Sequence, residues 1–220
     1  MVKEFSRLTK KESSYARRVA IKILFDLNKH LRDKYRFAFR MVGSTKWGTN
    51  IRKRNGEYDV DYQILLTKNS KKYKENQLSN PTEIKNDFFN ECKMIVHNGK
   101  VENSTTAITV YLKDNMNINF HIDFVIIKIF PENGLIIKRN NKKETFHINE
   151  FTWCELKKHN DAFLKFKELS PNEKKDLIEN YIIEAKVKEI KKDKGDPTKL
   201  SSTEVFIREV NNYVSKKSYN

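Results

Sequence analysis

The sequence predicts an α+β fold: a mainly antiparallel sheet flanked by helices, with a short helical part at the C-terminal end. Three features carry that expectation. β-branched and aromatic runs fill residues 58–66, 108–114 and 117–130, where strand-type alternation is strongest. Apolar residues at three- and four-residue steps occupy 11–32 and 81–99, as helices with one buried stripe require. Beyond residue 156 the patterns are helical only.

In chain order, Ala16, Val19, Ala20, Ile23, Leu24, Leu27 and Leu31 make the stripe of the first helix. Arg17, Arg18, Lys22 and Arg32 lie off it, on a face that is either solvated or open to RNA. RFAFRMVG, residues 36–43, reads as a strand entering a Gly turn, and YDVDYQILL, residues 58–66, as the next strand. TKNSKKYKENQLSNP, residues 67–81, is polar without periodicity and reads as a surface loop. Pro81 then starts a helix carrying Ile84, Phe88, Cys92, Ile95 and Val96, ending at Gly99.

ITVYLKD (108–114) and NINFHIDFVIIKIF (117–130) are separated by a short Asn-Met turn, so a hairpin is the economical reading, with a further strand at GLIIKR, 134–139. Ser170-Pro171-Asn172-Glu173 and Ser201-Ser202-Thr203-Glu204 have capping-box spacing ahead of helical patterns. Between them KVKEIKKDKGDPTK, 186–199, reads as a helix end and a basic linker.

Composition bounds the function. The 220 residues, 38% hydrophobic with fourteen Phe, suffice for a packed core, and the formal charge of +15 favours polyanionic partners. Cys92 and Cys154 belong to no paired-cysteine motif, which argues against a zinc ribbon or a disulfide framework. There is no Ser-His-Asp or Cys-His pattern to support nucleophilic hydrolysis. The start lacks an apolar run of signal-peptide length and no stretch approaches the roughly 20 apolar residues of a membrane span, so a cytoplasmic protein without a membrane partner is expected. Nothing in the sequence speaks to oligomeric state.

The chemistry concentrates in GSTKWGTNIRKRNGEYDVDY, residues 43–62. On a strand Asp59 and Asp61 share one face, and Asp123 inside IDFVII is costly unless a charge partner or a metal satisfies it. Three such carboxylates on adjacent strands suffice for two Mg²⁺ ions, with Mn²⁺ as an alternative, together with the phosphates of a nucleotide. Gly43 lets the backbone approach phosphate oxygens, and helix-start amides with the Ser44 hydroxyl can donate to them. Trp47 and Trp153 are candidates for base stacking or for the core. His121 reads as a structural histidine or an acceptor contact, and Lys138 and Arg139 as surface cations or phosphate contacts.

A hydrophobic residue, Gly-Ser, a spacer and Asp-x-Asp together resemble the signature of the DNA polymerase beta type nucleotidyltransferase superfamily. GSTKWGTNIR followed by DVDY and HIDFVII is most similar to the branch of oligoadenylate synthetases, cyclic GMP-AMP synthase and related bacterial CD-NTases. The resemblance implies the nucleotidyltransferase fold with a mixed sheet. It implies a metal triad of Asp59, Asp61 and Asp123, with Asp123 also activating the acceptor hydroxyl. It further implies triphosphate contacts from Gly43 and Ser44, and Thr49 as the family's loop threonine. The activity implied is transfer of a nucleotidyl group from a nucleoside triphosphate to a hydroxyl with release of pyrophosphate, yielding a cyclic or linear oligonucleotide. Alternatives are addition to an RNA end such as tRNA, to a small molecule or to a protein, and, from another class, a non-catalytic nucleotide- or RNA-binding module. RNA thus stands as acceptor or regulator.

By this resemblance residues 1–155 form the catalytic core and 156–220 a helical C-terminal part. Two departures shape the expectation. Fourteen residues, 45–58, separate Ser44 from Asp59, a slightly long spacer that lets the 52–56 loop project. The stretch after Trp153 is short for the helical second domain of full-length cyclases, so the pocket is expected to be open, smaller, or completed by a partner.

Overall fold

The computed structural model describes residues 5–53, 56–67, 80–113, 119–129, 134–140, 150–156, 160–193 and 195–217. Most of the predicted loop at 67–81, the Asn-Met turn at 115–116, and Arg54 and Asn55 lie outside the described residues.

Thr9 separates a short strand, β1 (Ser6–Arg7), from helix α1 (Lys10–Leu31) through a complete capping box: its side chain accepts from the Glu12 amide while Glu12 accepts from the Thr9 amide. β2 (Phe37–Met41) leads through Val42 into α2 (Gly43–Trp47). Next come β3 (Ile51–Arg52), paired with β1, and β4 (Tyr58–Leu66). Helix α3 (Pro81–Ile95) has Pro81 in its first turn and is capped by Asn80, whose side chain accepts from the Thr82 and Glu83 amides. β5 (Lys100–Asn103), β6 (Ala107–Lys113), β7 (Asn119–Ile129), β8 (Gly134–Arg139) and β9 (Phe151–Glu155) follow.

The main sheet runs β2-β4-β7-β6-β5, with the β8–β9 hairpin joined to the far end of β7. Every pairing is antiparallel except β4 with β7, which is parallel. The predicted β6–β7 hairpin forms. Strands β1, β3, β5 and β9 were not expected from the sequence; the first two are only two residues each.

Alternation decides the layers. Tyr58, Val60, Tyr62, Ile64 and Leu66 of β4 and Phe120, Ile122, Phe124 and Ile126 of β7 are buried in the core that includes the stripes of α1 and α3. The opposite face of the same strands therefore carries Asp59, Asp61, His121 and Asp123.

The C-terminal part is helical, as predicted: α4 (Asn160–Glu168), α5 (Pro171–Asp176), a π-helical segment (Leu177–Ile182) continuing without a break into α6 (Ile183–Lys191), and α7 (Ser202–Lys217). Phe166, Leu177, Ile178, Ile182, Phe206 and Val210 lie in a second apolar cluster, onto which Trp47 packs. The reading of 186–199 as a helix end and a basic linker matches α6, which ends at Lys191, although Lys186 in that helix end is 5% exposed and so belongs to the interior. Among the described residues no helix is long and apolar enough to cross a membrane.

Candidate active site

Val42 is extended and Gly43 turns into the left-handed region at φ 56°, so α2 starts against the site face of β4. A Cβ on Gly43 would lie 2.8 Å from Asp61 Oδ2, so only glycine permits this approach without displacing the carboxylate. The contact is locked from both sides. The Val42 amide donates to the Asp61 carbonyl at 3.0 Å, and the Asp61 amide donates to Thr45 Oγ1 at 2.9 Å. Buried Asn50 donates through Nδ2 to the Asp59 carbonyl at 2.6 Å and to Thr45 Oγ1 at 3.3 Å, and Arg17 Nη2 donates to the Thr45 carbonyl at 2.9 Å.

The parallel register sets Asp61 opposite Asp123 and Asp59 opposite His121. Adjacent strands lie about 4.8 Å apart, so the three predicted acids occupy neighbouring positions on one face. Burial, and then the charges of Asp59 and Asp123, push the Asp61 carboxyl up to about 8, while Lys186 pulls the other way. Burial also raises Asp123, opposed by the hydrogen bond from Thr109 and by His121. Among the described residues no three His, Cys, Asp or Glu side chains form a ready-made metal cage.

Beside the acids is a pocket whose lining includes Gly43, Ser44, Thr49, Lys186, Ser202 and Thr203. Lys186 Nζ donates to Ser44 Oγ at 2.8 Å, Thr49 Oγ1 at 2.9 Å and the Thr49 carbonyl at 3.1 Å. Ser44 Oγ is also 3.0 Å from Ser202 Oγ at the start of α7. Burial brings the Lys186 ammonium down to about 8, with Asp59 and Asp61 opposing.

The remaining predicted residues divide. Trp47 stacks on Phe163 and Phe206 at ring separations of 5.6 and 5.8 Å, which makes it a packing residue and not a base platform. Trp153 packs against the main core. Arg139 Nη2 donates to the Asn103 carbonyl at 2.5 Å, a structural tie. His121 stacks on Tyr111 at 5.4 Å, and its buried Nε2 makes no hydrogen bond among the described residues, Glu57 Oε1 lying at 3.6 Å. Arg52 does not project: it is paired with buried Glu12 at 2.5 Å.

No family model matches the chain, and no curated protein matches it in sequence. Solved structures do. The chain is similar to the STING-associated CdnE c-di-GMP synthase from Capnocytophaga granulosa, with TM-score 0.58 and 14% identity over 94% of this chain and 61% of that one. It is similar to GTP-bound Vibrio cholerae DncV, with TM-score 0.54 and 18% identity over 95% and 53% of the two chains. For the Bradyrhizobium diazoefficiens CD-NTase CdnG in complex with GTP the TM-score is 0.50, with 16% identity over 68% and 40%. The chain has the nucleotidyltransferase fold of the CD-NTases. It spans 40 to 61% of the length of these three neighbours.

Within this nucleotidyltransferase fold the sequence reading missed Thr45, Asn50, Thr109, Lys186 and Ser202. One signal was available for Lys186: Ile178, Ile182, Lys186 and Glu189 recur at four- and three-residue steps, so the lysine falls on the buried stripe of its helix. Thr109 lies between the core residues Ile108 and Val110 on the strand face that carries Asp123, and a hydroxyl buried there needs a partner.

Proposed function

We propose that the chain is a metal-dependent nucleotidyltransferase that joins nucleoside triphosphates into a cyclic or linear oligonucleotide. The observation that carries this reading is the in-register placement of Asp61 opposite Asp123, directly below the Gly43 turn. An acid pushed up to about 8 by burial and two neighbouring carboxylates is a group that a dication would relieve.

The donor chemistry suits Mg²⁺ or Mn²⁺, since Asp59, Asp61 and Asp123 offer hard oxygens alone. These three residues would hold the ions. When bound, the metal supplies charge neutralisation at the phosphates and acidifies the acceptor hydroxyl. The chain's own groups do the rest. The Lys186 ammonium and the Ser44 and Ser202 hydroxyls, which bond to one another, would with the amides at the start of α2 receive the β- and γ-phosphates. The acceptor oxygen attacks the α-phosphorus as the bond to the β-bridging oxygen breaks, and the acceptor's proton passes to the Asp123 carboxylate.

The neighbours solved with GTP favour a nucleoside triphosphate as substrate. The test is incubation of the chain with each labelled triphosphate, with Mg²⁺ or with chelator, with and without RNA, followed by product separation. Metal-dependent products resistant to phosphatase are expected from triphosphates alone. Absence of pyrophosphate release with every nucleotide overturns the reading, and products formed only with RNA redirect it to an RNA acceptor.

A further inference from the structure

The row that contains Asp61 and Asp123 continues onto β6, where Thr109 stands opposite Asp123. Thr109 is 5% exposed and its Oγ1 lies 2.6 Å from Asp123 Oδ1. Ser104 Oγ is 3.3 Å from Thr109 Oγ1, and Ser104 is itself held by its amide donating to the Ala107 carbonyl at 3.0 Å. An ionised carboxylate only accepts, so the single Thr109 hydroxyl hydrogen goes to Asp123 and Ser104 must donate to Thr109. The relay therefore has one direction, from Ser104 through Thr109 to Asp123.

The neighbours of Thr109 along the strand, Ile108 and Val110, are buried in the main core. A valine would match the shape of Thr109 and suit a strand equally well. What threonine adds is one hydroxyl, and burying it is favourable only because it is bonded. An O–H to carboxylate bond of 2.6 Å belongs to the short, strong class.

We propose that Thr109 is a positioning residue for the transfer reaction. By tying Oδ1 of Asp123 to β6, it holds the carboxylate in one orientation and presents Oδ2 to the metal and the acceptor hydroxyl. Released from this tie, the carboxylate would rotate between orientations, and the free oxygen would be available for part of the time only. This inference rests on the nucleotidyltransferase reading above.

The experiment compares the wild type with Thr109→Val, Thr109→Ser and Ser104→Ala. It measures Mn²⁺ affinity without nucleotide by paramagnetic relaxation, kcat and KM for the triphosphate, and melting in chelator. For Thr109→Val, Mn²⁺ affinity and kcat are expected to fall roughly 10- to 100-fold, as for other groups that orient metal ligands, with KM unchanged. Thr109→Ser should restore both, and Ser104→Ala should show a smaller loss of Mn²⁺ affinity. Should the Val variant fail to fold, Ser104→Ala carries the test, and wild-type Mn²⁺ affinity in that variant counts against the relay. The inference is overturned if folded Thr109→Val binds Mn²⁺ like wild type. It is also overturned if Thr109→Ser is as impaired as Thr109→Val, because the methyl contact would then be what matters. A wild type that binds Mn²⁺ but transfers nothing removes the enzymatic reading while leaving Thr109 to be judged by the Mn²⁺ titration. A wild type that binds no Mn²⁺ removes both.

Discussion

Lys186 Nζ donates to Ser44 Oγ at 2.8 Å across 142 positions of the chain. That bond makes the C-terminal helices part of the pocket and not an appendage to it. Replacing Lys186 with Met removes a charged donor worth roughly 1.5 to 3 kcal/mol. The apparent KM for the triphosphate should rise roughly 10- to 100-fold. Calorimetry with a non-hydrolysable triphosphate checks this, and unchanged affinity with a sharply lower Tm would make Lys186 a structural tie only.

Asp61→Asn should separate activity from stability. In chelator, the folded Asp61 carboxyl titrates at about 8 against 3.8 for the ordinary group. Below pH 3.8 both states hold the proton; as pH rises the unfolded chain releases it first, so the folded state holds more protons and loses stability up to about pH 8. The Asn variant lacks this loss. It should melt above wild type at pH 8 in chelator, transfer no nucleotide, and gain less from added Mg²⁺. Equal melting at pH 8 would remove the electrostatic reading of the acids.

Lys85 should show the opposite trend. It is fully buried, donates to the Thr106 carbonyl at 2.7 Å, and is brought from 10.5 down to about 7 chiefly by burial. Between these values the unfolded chain holds more protons, so the stability this group contributes is present above pH 10.5 and is lost as pH falls toward 7. Denaturant titrations of wild type and Lys85→Met at pH 7 and pH 10 should differ in slope with pH, the Met variant being the flatter. Parallel pH trends would contradict the shift.

Gly43→Ala joins two costs: a left-handed φ of 56° and a methyl 2.8 Å from Asp61 Oδ2. The backbone cost of about 1 to 2 kcal/mol corresponds to a Tm lower by roughly 2 to 8 °C. Because the methyl also displaces a proposed metal ligand, kcat should fall well beyond what the remaining folded fraction explains. A variant with normal turnover would show that Asp61 tolerates the displacement.

Trp47→Ala should loosen the second apolar cluster, since the indole stacks on Phe163 and Phe206. Because Trp47 is only partly buried, the loss should be smaller than the about 3 to 5 kcal/mol of a large aromatic removed from a core. Proteolysis should then cut first within the α4–α7 region, and uniform resistance would refute this packing role.

The helices, the long strands and the acid positions were legible because period and burial coincide there: Asp59 and Asp61 alternate with Val60 and Tyr62, and Asp123 interrupts an apolar run. The parallel pairing of β4 with β7 was not legible, because alternation tells which face a residue takes but not which strand lies beside it. Trp47 was ambiguous for a related reason: its partners Phe163 and Phe206 lie more than a hundred residues downstream. Lys186 was easily passed over as one lysine among many in a basic stretch, since only its helical step from Ile178 and Ile182 marks it as buried. The two-residue strands β1 and β3 are too short to have a period at all.

The π-helical segment Leu177–Ile182 sets the angular phase of everything after it. Its wider turn accommodates one residue more than an α-helical turn, and one residue corresponds to about 100° of rotation around the axis. Lys186 meets Ser44 only at the phase that follows this wide turn. If the same residues wound as a regular α-helix with none removed, everything after the segment would rotate by about 100°, and the ammonium would point about a quarter of a turn away from the pocket. The match between residue count and turn width across Leu177–Ile182, ahead of Lys186, is thus what a functional relative would have to preserve.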